Sequence, residues 1–288
     1  GTAIMDTPVS VADPSTGGTF SPRDPIGSYL GPVAADRALG NSLNVTAIKT
    51  IVSAGVQNTI GTLKKAGYTT FDNPGGYGPA LTTGGSEITL LDQAVAYSVL
   101  ANGGIMRGQD LVVTDRKDPA TRGLEPVALL KVTDADKKVL YEFKQPVERR
   151  VLPAEYVWLV TSILSNGANQ CITYGVCNAL SLPNGYPSAA KTGTSAPFDN
   201  PNLIGETWTM GYTPELVGGV WAGNADNAPI QGIDSTSVSL RTWKQFMVDA
   251  AATLKLPATN FSRPQGVVER EVCWPDRKSK RLNSSHGY

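Results

Sequence analysis

Three β-prone segments follow one another late in the chain, and their spacing constrains the fold more than any other feature. They span residues 187–195, 206–213 and 216–222. The connections between them are short, whereas parallel strands need a crossover of about a dozen residues or more. The sequence therefore predicts an antiparallel sheet built from these segments.

Apolar residues recur at helical spacing in several segments before and after these strands. We expect helices to begin near Val45, Val56, Thr89, Pro153 and Leu240. A turn at residues 134–137 separates two further β-prone segments and predicts a hairpin. Strands bracketed by helices, with short links between strands, favour an α+β fold over alternating βαβ units. We expect an antiparallel sheet flanked by helices.

The same periodicity predicts which side chains face the core. In the helix after Thr89 the buried residues would be Leu91, Ala94, Val95 and Val99. In the last helix they would be Leu240, Trp243, Met247, Ala250 and Leu254. Trp208, Trp221 and Trp243 lie in apolar segments and are predicted core residues, not sugar-binding surfaces. Residues 1–40 contain 5 prolines and predict an irregular, packed lead-in.

The charges of this chain balance, which excludes several classes of partner. Lys plus Arg and Asp plus Glu each number 25 among 288 residues. A chain without net charge has no general attraction to phosphate backbones or anionic lipid, so we expect no nucleic-acid partner. No apolar run reaches the length that a membrane-spanning helix needs. A hydrophobic fraction of 41% suits a folded protein with a sizeable core.

Histidine and cysteine limit the chemistry further. The one histidine is His286, three residues from the end, so a histidine base or histidine metal ligand has no place in the body of the chain. Serine chemistry here needs another base, and lysine is the candidate. We expect neither a metal nor another cofactor. Cys171 and Cys177 lie close in sequence, and either a local disulfide or unconnected thiols fits this pattern.

The main chemical signal is a K-T-G motif at Lys191-Thr192-Gly193, followed by Thr194. The motif lies in a predicted strand, where successive side chains alternate between faces. Lys191 and Gly193 should therefore share one face, while Thr192 takes the other. Gly193 removes side-chain bulk where a ligand backbone could lie along the strand, which makes it a candidate substrate-binding position.

A second signal, Ser42-Leu43-Asn44, precedes the predicted helix at Val45. Asn44 is a favourable N-cap, and Ser42 suits a cap or a turn. Taken alone, the triplet indicates no more than a helix start. Combined with K-T-G it forms two of the three elements of a known serine-lysine site, and the third is S-x-x-K.

The S-x-x-K element itself does not occur in a usable form. Its one match is Ser188-Ala189-Ala190-Lys191, at the start of the predicted strand. Residues three apart share a face on a helix, but on a strand an odd spacing sends them to opposite faces. Ser188 and Lys191 therefore cannot form a nucleophile-base pair.

Four segments together carry a family resemblance: residues 31–49, 87–104, 190–195 and 208–224. In order and spacing they resemble the transpeptidase domain of class A penicillin-binding proteins, over roughly residues 1–274. The resemblance implies the penicillin-binding protein/β-lactamase-like fold. In that family the S-x-x-K serine lies upstream of the point that corresponds to Gly1, so we expect the N-terminal part of the domain to be missing from this chain.

The resemblance also implies a role for each matching residue. Ser42 would relay a proton between the missing lysine and the leaving group of the substrate. Asn44 would bind the acyl side-chain amide, and Lys191 would supply positive potential near Ser42. Thr192 and Thr194 would bind the substrate carboxylate, and the Thr194 N–H would donate to the oxyanion.

These roles imply a peptidoglycan DD-transpeptidase that cross-links stem peptides through a serine acyl-enzyme and binds β-lactams. It would act outside the cytoplasmic membrane, anchored only through a missing N-terminal segment. The chain as given would be inactive because it lacks the nucleophile. Two alternatives stay open: a β-lactamase or carboxypeptidase of the same fold, and a non-catalytic sensor that binds β-lactams or peptides.

The predicted domain boundary lies near residue 274. Residues 1–274 would form the partial transpeptidase domain. Residues 275–288 resemble the translation of a common sequencing-library adapter, off by one residue, and we interpret them as a non-native tail. The alternative is an ordinary basic tail.

Overall fold

The computed structural model describes residues 2–14, 16–73, 75–110, 122–195 and 203–269. The helices of these ranges are α1 Ala35–Gly40, α2 Asn44–Ala54, α3 Val56–Ala66, α4 Leu90–Ala101, α5 Ala154–Leu164, α6 Cys171–Tyr174 and α7 Ser239–Thr253, with 3₁₀ turns at Pro79–Thr83 and Gly167–Asn169. The strands are β1 Ala3–Asp6, β2 Val11–Asp13, β3 Gly18–Phe20, β4 Gly31–Ala34, β5 Ile105–Gly108, β6 Lys131–Thr133, β7 Val139–Glu142, β8 Val147–Arg150, β9 Ala189–Ser195, β10 Glu206–Tyr212 and β11 Val217–Gly223. The expected tail, 275–288, lies outside the described residues.

The central sheet has the strand order β11-β10-β9, and both strand pairs are antiparallel. Its register places Trp208 opposite Gly193 on one side and Trp221 on the other. Together with the helices on its faces, this sheet confirms the predicted α+β fold. Within the described ranges β9 pairs only with β10, so its other edge is open.

Helix α7 covers one face of the sheet. Leu240, Trp243 and Met247 project from it and are buried against Ala190 of β9, as the helical periodicity predicted. The Trp243 indole N–H donates to the carbonyl of Gly218 at 3.0 Å, which satisfies the polar atom of a fully buried ring. The opposite face packs against α4 and α5, where the Thr161 and Tyr212 hydroxyls are 2.7 Å apart.

The helices begin and end close to the residues that the sequence predicted. Gly67 ends α3 in the left-handed conformation, with φ of 114°. Thr89 caps α4 by accepting a hydrogen bond from the Asp92 N–H at 3.0 Å. The predicted hairpin forms between β6 and β7 around the turn at 134–137. None of the described helices is long and apolar enough to cross a membrane.

The prediction of an irregular lead-in was wrong. The chain before α1 forms two antiparallel pairs, β1 with β4 and β2 with β3. These strands have three or four residues each, which is too short for an alternating pattern to stand out.

Three predicted core residues are substantially exposed: Leu91 at 53%, Leu254 at 59% and Trp221 at 38%. Asp92 takes the inward position on α4 instead of Leu91, because its carboxylate accepts hydrogen bonds from the Thr69 N–H and hydroxyl, both at 2.7 Å. Leu254 lies beyond the last turn of α7. Trp221 lies on β11, at an edge of the sheet, and hydrogen-bonds Glu206.

Candidate active site

The Ser42 hydroxyl lies on the tight turn that joins α1 to α2. The N–H of Ser42 donates to Leu39 O and the N–H of Leu43 donates to Ala38 O, both at 3.0 Å. This pair of bonds is the Schellman arrangement that ends a helix. The accompanying apolar contact is also present, because Leu43 and Ala38 are buried in one cluster with Val33.

Ser42 occupies the position of this turn that usually holds glycine. Its φ is 57°, in the left-handed region that side chains disfavour by about 1 kcal/mol or more. Strained positions of this kind cluster at functional sites. The turn itself would form more easily with glycine, so the fold alone gives no reason for a serine here.

A remote carboxylate, not Asn44, caps α2. The prediction that Asn44 is the N-cap was wrong: Asn44 is the first helical residue, and its side-chain amide donates to Arg23 O at 2.8 Å. Asp24 Oδ1 accepts from the Val45 N–H at 3.0 Å and satisfies that donor of the helix start. Asp24 thereby fixes the start of α2 directly after Ser42.

Asp24 has a second buried carboxyl group, that of Asp6, as its neighbour. Asp6 is 0% and Asp24 5% exposed. Burial raises the pKa of Asp24 to about 6, and the neighbouring Asp6 carboxyl group contributes to the same rise. Asp6 Oδ2 accepts from the Leu30 N–H at 2.6 Å, so the pair connects β1, the loop before β4 and α2.

Lys191 reaches Ser42 from β9. Its strand neighbour Ala189 is buried with Leu164 of α5, and alternation places Lys191 on that same face. Lys191 Nζ donates to Ser42 Oγ at 2.7 Å and to Thr192 O at 2.8 Å. Burial lowers the pKa of Lys191 to about 8, which leaves the ammonium charged at neutral pH.

The hydrogen bond from Lys191 determines what the Ser42 hydroxyl can do. A hydroxyl has one donor hydrogen and two acceptor lone pairs. Because the ammonium occupies an acceptor position of Ser42 Oγ, the hydroxyl hydrogen stays available for a third group. The Ser42 hydroxyl can therefore donate a proton while the Lys191 ammonium is hydrogen-bonded to the same oxygen.

Thr192 and Thr194 lie on the sheet face opposite Lys191, as alternation predicts. Thr192 is 7% exposed, and its hydroxyl lies 2.6 Å from the Tyr174 hydroxyl. Thr194 is exposed. Among the described residues, a Cβ added at Gly193 would meet Trp208 Cβ alone, at an ordinary 3.6 Å, so this part of the structure does not require glycine at the position.

Cys171 and Cys177 form a disulfide, which resolves the alternatives that the sequence left open. The bond closes the segment that contains α6. Two surface cavities have linings that do not include Ser42 or Lys191: one is formed around Pro8, Arg23 and Tyr29, the other by residues 150–155.

The fold is an α+β domain in which a lysine-headed edge strand faces a serine turn at a helix start. Comparison with known proteins identifies the family to which this domain belongs. The family model of the penicillin binding protein transpeptidase domain matches residues 16–237. The chain therefore belongs to this family, and the predicted resemblance to class A penicillin-binding proteins is confirmed.

Relatives and solved structures give the same result. The chain is 28% identical to penicillin-binding protein 2D of Bacillus subtilis, over 87% of this chain and 32% of that protein. It is 28% identical to penicillin-binding protein 1A of Clostridium acetobutylicum, over 93% of this chain and 30% of that protein. It thus spans about a third of the length of these curated relatives.

The fold is similar to that of PonA1 from Mycobacterium tuberculosis, with a TM-score of 0.71 and 22% identity over 96% of this chain and 70% of that chain. Penicillin-binding protein 1A from Haemophilus influenzae superposes with a TM-score of 0.71 and 21% identity, over 94% of this chain and 42% of that chain. At these identities the likeness concerns the fold.

Four residues that organise this site were not predicted from the sequence: Asp6, Asp24, Asn41 and Tyr174. The two aspartates lie well upstream of the motif, and no local pattern connects them with it. The sequence contains weak indications for the other two residues: Asn41 directly precedes Ser42, and Tyr174 lies between the two cysteines.

Proposed function

We propose that this chain carries the S-x-N motif, Ser42-Leu43-Asn44, and the K-T-G motif of a peptidoglycan DD-transpeptidase site that works through a serine acyl-enzyme. The observation that carries the proposal is the hydrogen bond of 2.7 Å between Lys191 Nζ and Ser42 Oγ. Acyl transfer needs a group that delivers a proton to the leaving nitrogen, and a hydroxyl backed by an ammonium can do so.

In this proposal Ser42 relays the proton and Lys191 keeps the relay polarised. As the leaving amine departs, the Ser42 hydroxyl donates its hydrogen and recovers one from the lysine base of the S-x-x-K element. The Lys191 charge favours the transient negative charge on Ser42 Oγ, because the ammonium is buried and only 2.7 Å away. Asn44 would bind the acyl side-chain amide of the donor peptide.

The K-T-G strand would hold the other end of the substrate. Gly193 leaves room for a ligand backbone along β9, since among the described residues a Cβ there contacts Trp208 alone. The Thr192 and Thr194 hydroxyls would bind the carboxylate that a peptide terminus and a β-lactam share, and the N–H of Thr194 would donate to the oxyanion. Within the described residues no strand pairs with the outer edge of β9, and this edge suits a ligand in extended conformation.

The acylating serine and its lysine would come from outside the 288 residues, because the one S-x-x-K match is the unsuitable Ser188-Lys191 pair. Residues 1–274 would then be part of a transpeptidase domain, and 275–288 a non-native tail. Among the structural neighbours, PonA1 has been solved with penicillin V. For the whole protein from which this chain derives, we propose that it binds β-lactams, acts on stem peptides and works outside the cytoplasmic membrane.

The test compares the 288-residue chain with the same chain extended by the coding sequence upstream of Gly1. We expect a fluorescent penicillin to label the extended protein covalently, one to one, and to leave the shorter chain unlabelled. In the extended protein Ser42→Ala should slow acylation by about 100-fold or more. Ser53→Ala, which alters an exposed serine on α2, is the matched control and should have no effect.

Each other outcome contradicts a specific part of the proposal. Stoichiometric labelling of the shorter chain would show that the nucleophile does not lie upstream of Gly1. An extended protein that binds penicillin without covalent label would indicate the non-catalytic sensor. Rapid release of hydrolysed penicillin from the labelled protein would indicate a β-lactamase.

A further inference from the structure

The disulfide-closed segment, residues 171–177, lies between the Ser42 turn and the K-T-G strand and contacts both. On the turn side, Asn41 Oδ1 accepts from the N–H groups of Ile172 and Thr173, at 2.9 and 3.1 Å. The Thr173 hydroxyl donates to Asn41 O at 2.5 Å. Asn41 is 1% exposed, so these bonds satisfy a fully buried amide directly before Ser42.

On the strand side, the next residue of the segment contacts Thr192. The Tyr174 hydroxyl lies 2.6 Å from Thr192 Oγ1, and the Tyr174 ring packs against the cluster that contains Ala190 and Trp243. Burial raises the pKa of Tyr174, so its hydroxyl stays protonated at neutral pH and can donate. Three consecutive residues, 172–174, therefore connect the two halves of the site.

Apolar packing alone does not explain how this segment is held. Ile172 is 45% and Val176 61% exposed, and α6 has four residues, which is too short to be stable by itself. The disulfide restricts the segment covalently. The chain just before it packs closely on α1, since a Cβ added at Gly40 would lie 2.4 Å from Asn169 Cβ.

We propose that segment 171–177 positions the site: Asn41 and Thr173 fix the Ser42 turn, and Tyr174 orients the Thr192 hydroxyl. Tyr174 donates to Thr192 Oγ1, which leaves the Thr192 hydrogen directed away from Tyr174 toward the substrate carboxylate. Tyr174 is a positioning residue, since it acts through Thr192. This inference rests on the proposed function, because it assigns the carboxylate to Thr192.

The first test uses the extended protein that penicillin acylates. Tyr174→Phe keeps the ring and removes the hydroxyl, and it should lower the second-order rate constant of penicillin acylation by about 3- to 10-fold, the effect of one hydrogen bond. Penicillin methyl ester, which has no free carboxylate, should show no difference between wild type and variant. Tyr186→Phe is the matched control, because Tyr186 packs on the same cluster but hydrogen-bonds Leu256 O instead.

The outcomes separate this inference from the proposed function. If wild type is not acylated, the proposed function fails before Tyr174 is tested. If wild type is acylated and Tyr174→Phe behaves like Tyr186→Phe, the positioning role is overturned. An equal loss with penicillin and with its ester would also overturn it, since such a loss indicates a general structural defect.

The second test needs no acylation and uses the 288-residue chain. Replacing both cysteines, Cys171→Ser and Cys177→Ser, should speed hydrogen exchange at the amides of Ile172, Thr173 and Ser42 by about 10-fold or more, since local opening governs exchange. The amide of Met210 in the middle strand β10 should exchange as in wild type. Unchanged exchange at Ile172 and Thr173 would show that the disulfide does not hold the segment on the turn.

Discussion

Lys191 Nζ and Ser42 Oγ lie 2.7 Å apart, although 149 positions separate the two residues in the chain. Helix α1, which ends at the Ser42 turn, packs against α5 and the 3₁₀ turn at Gly167–Asn169, and α5 packs against β9. The contact is thus built into the domain core.

Replacing Lys191 tests the consequence of burying its charge. Because the pKa falls from 10.5 to about 8 on folding, the unfolded chain binds more protons than the folded one between these values. The stability of wild type should therefore rise with pH across this window. Lys191→Met should be more stable than wild type at pH 7 by on the order of 3 kcal/mol, and the gap should close toward pH 10.5. Urea titrations at several pH values measure this difference.

Under the proposed function, the same titration should limit penicillin acylation by the extended protein. Above about pH 8 Lys191 loses its charge, so penicillin acylation should decline there for wild type. Lys191→Arg, which stays charged, provides the control for the charge itself. An acylation rate that stays level through pH 9 in wild type would contradict a role for the ammonium.

Variants at Ser42 separate two requirements at this position: the turn needs a residue with positive φ, and the proposed reaction needs a hydroxyl. Ser42→Gly should be more stable than Ser42→Ala by about 1 kcal/mol, because glycine adopts the φ of 57° without strain. Both variants should lose the relay hydroxyl and acylate slowly. Lys255→Gly, at another left-handed position with φ of 53°, shows the size of the backbone effect away from the site.

Two glycines of the central sheet should respond in opposite ways to alanine. Gly193→Ala should change stability by less than about 0.5 kcal/mol, since among the described residues the added methyl group meets Trp208 alone. It should nevertheless weaken penicillin acylation, because that methyl group enters the space assigned to the ligand. Gly211→Ala should destabilise the protein by about 1–3 kcal/mol, since its Cβ would lie 2.3 Å from the Trp243 ring. Thermal unfolding of both variants makes the comparison.

Asp24 should make the protein less stable as the pH rises through the acid range. Its pKa is raised from 3.8 to about 6 on folding, so the folded chain binds more protons between these values and loses stability as the pH climbs. Relative to Asp24→Asn, wild type should lose on the order of 2 kcal/mol between pH 4 and pH 7. Parallel stability curves for the two proteins would mean that Asp24 does not hold its proton in the fold.

Sequence patterns predicted the elements that have strong local signals. The three strands at 187–195, 206–213 and 216–222, the helix starts and the glycine ends are visible because periodicity and capping chemistry act over a few residues. The proximity of Lys191 to Ser42 was predicted only through the family resemblance, which implied that Lys191 supplies positive potential near Ser42.

Contacts between distant segments were not predictable in this way. Asp24 replaced Asn44 as the cap of α2, because a buried carboxylate outcompetes a side chain that finds another partner in Arg23 O. The inward turn of Asp92 depends on Thr69, and the hydroxyl contact of Thr192 depends on Tyr174. The hydrogen-bond partners of such side chains depend on tertiary contacts, which local sequence patterns do not contain.

The Ser42 turn directs three consecutive side chains to three different neighbours. Asn41 bonds the disulfide-closed segment, Ser42 meets the lysine, and Leu43, 1% exposed, enters the core. Leu43, the middle residue of the S-x-N motif, therefore anchors the turn in the core. A smaller residue at this position would allow the Ser42 hydroxyl to shift, although no residue that takes part in the reaction has been changed. Leu43 should thus tolerate substitution less well than its place between two motif residues suggests.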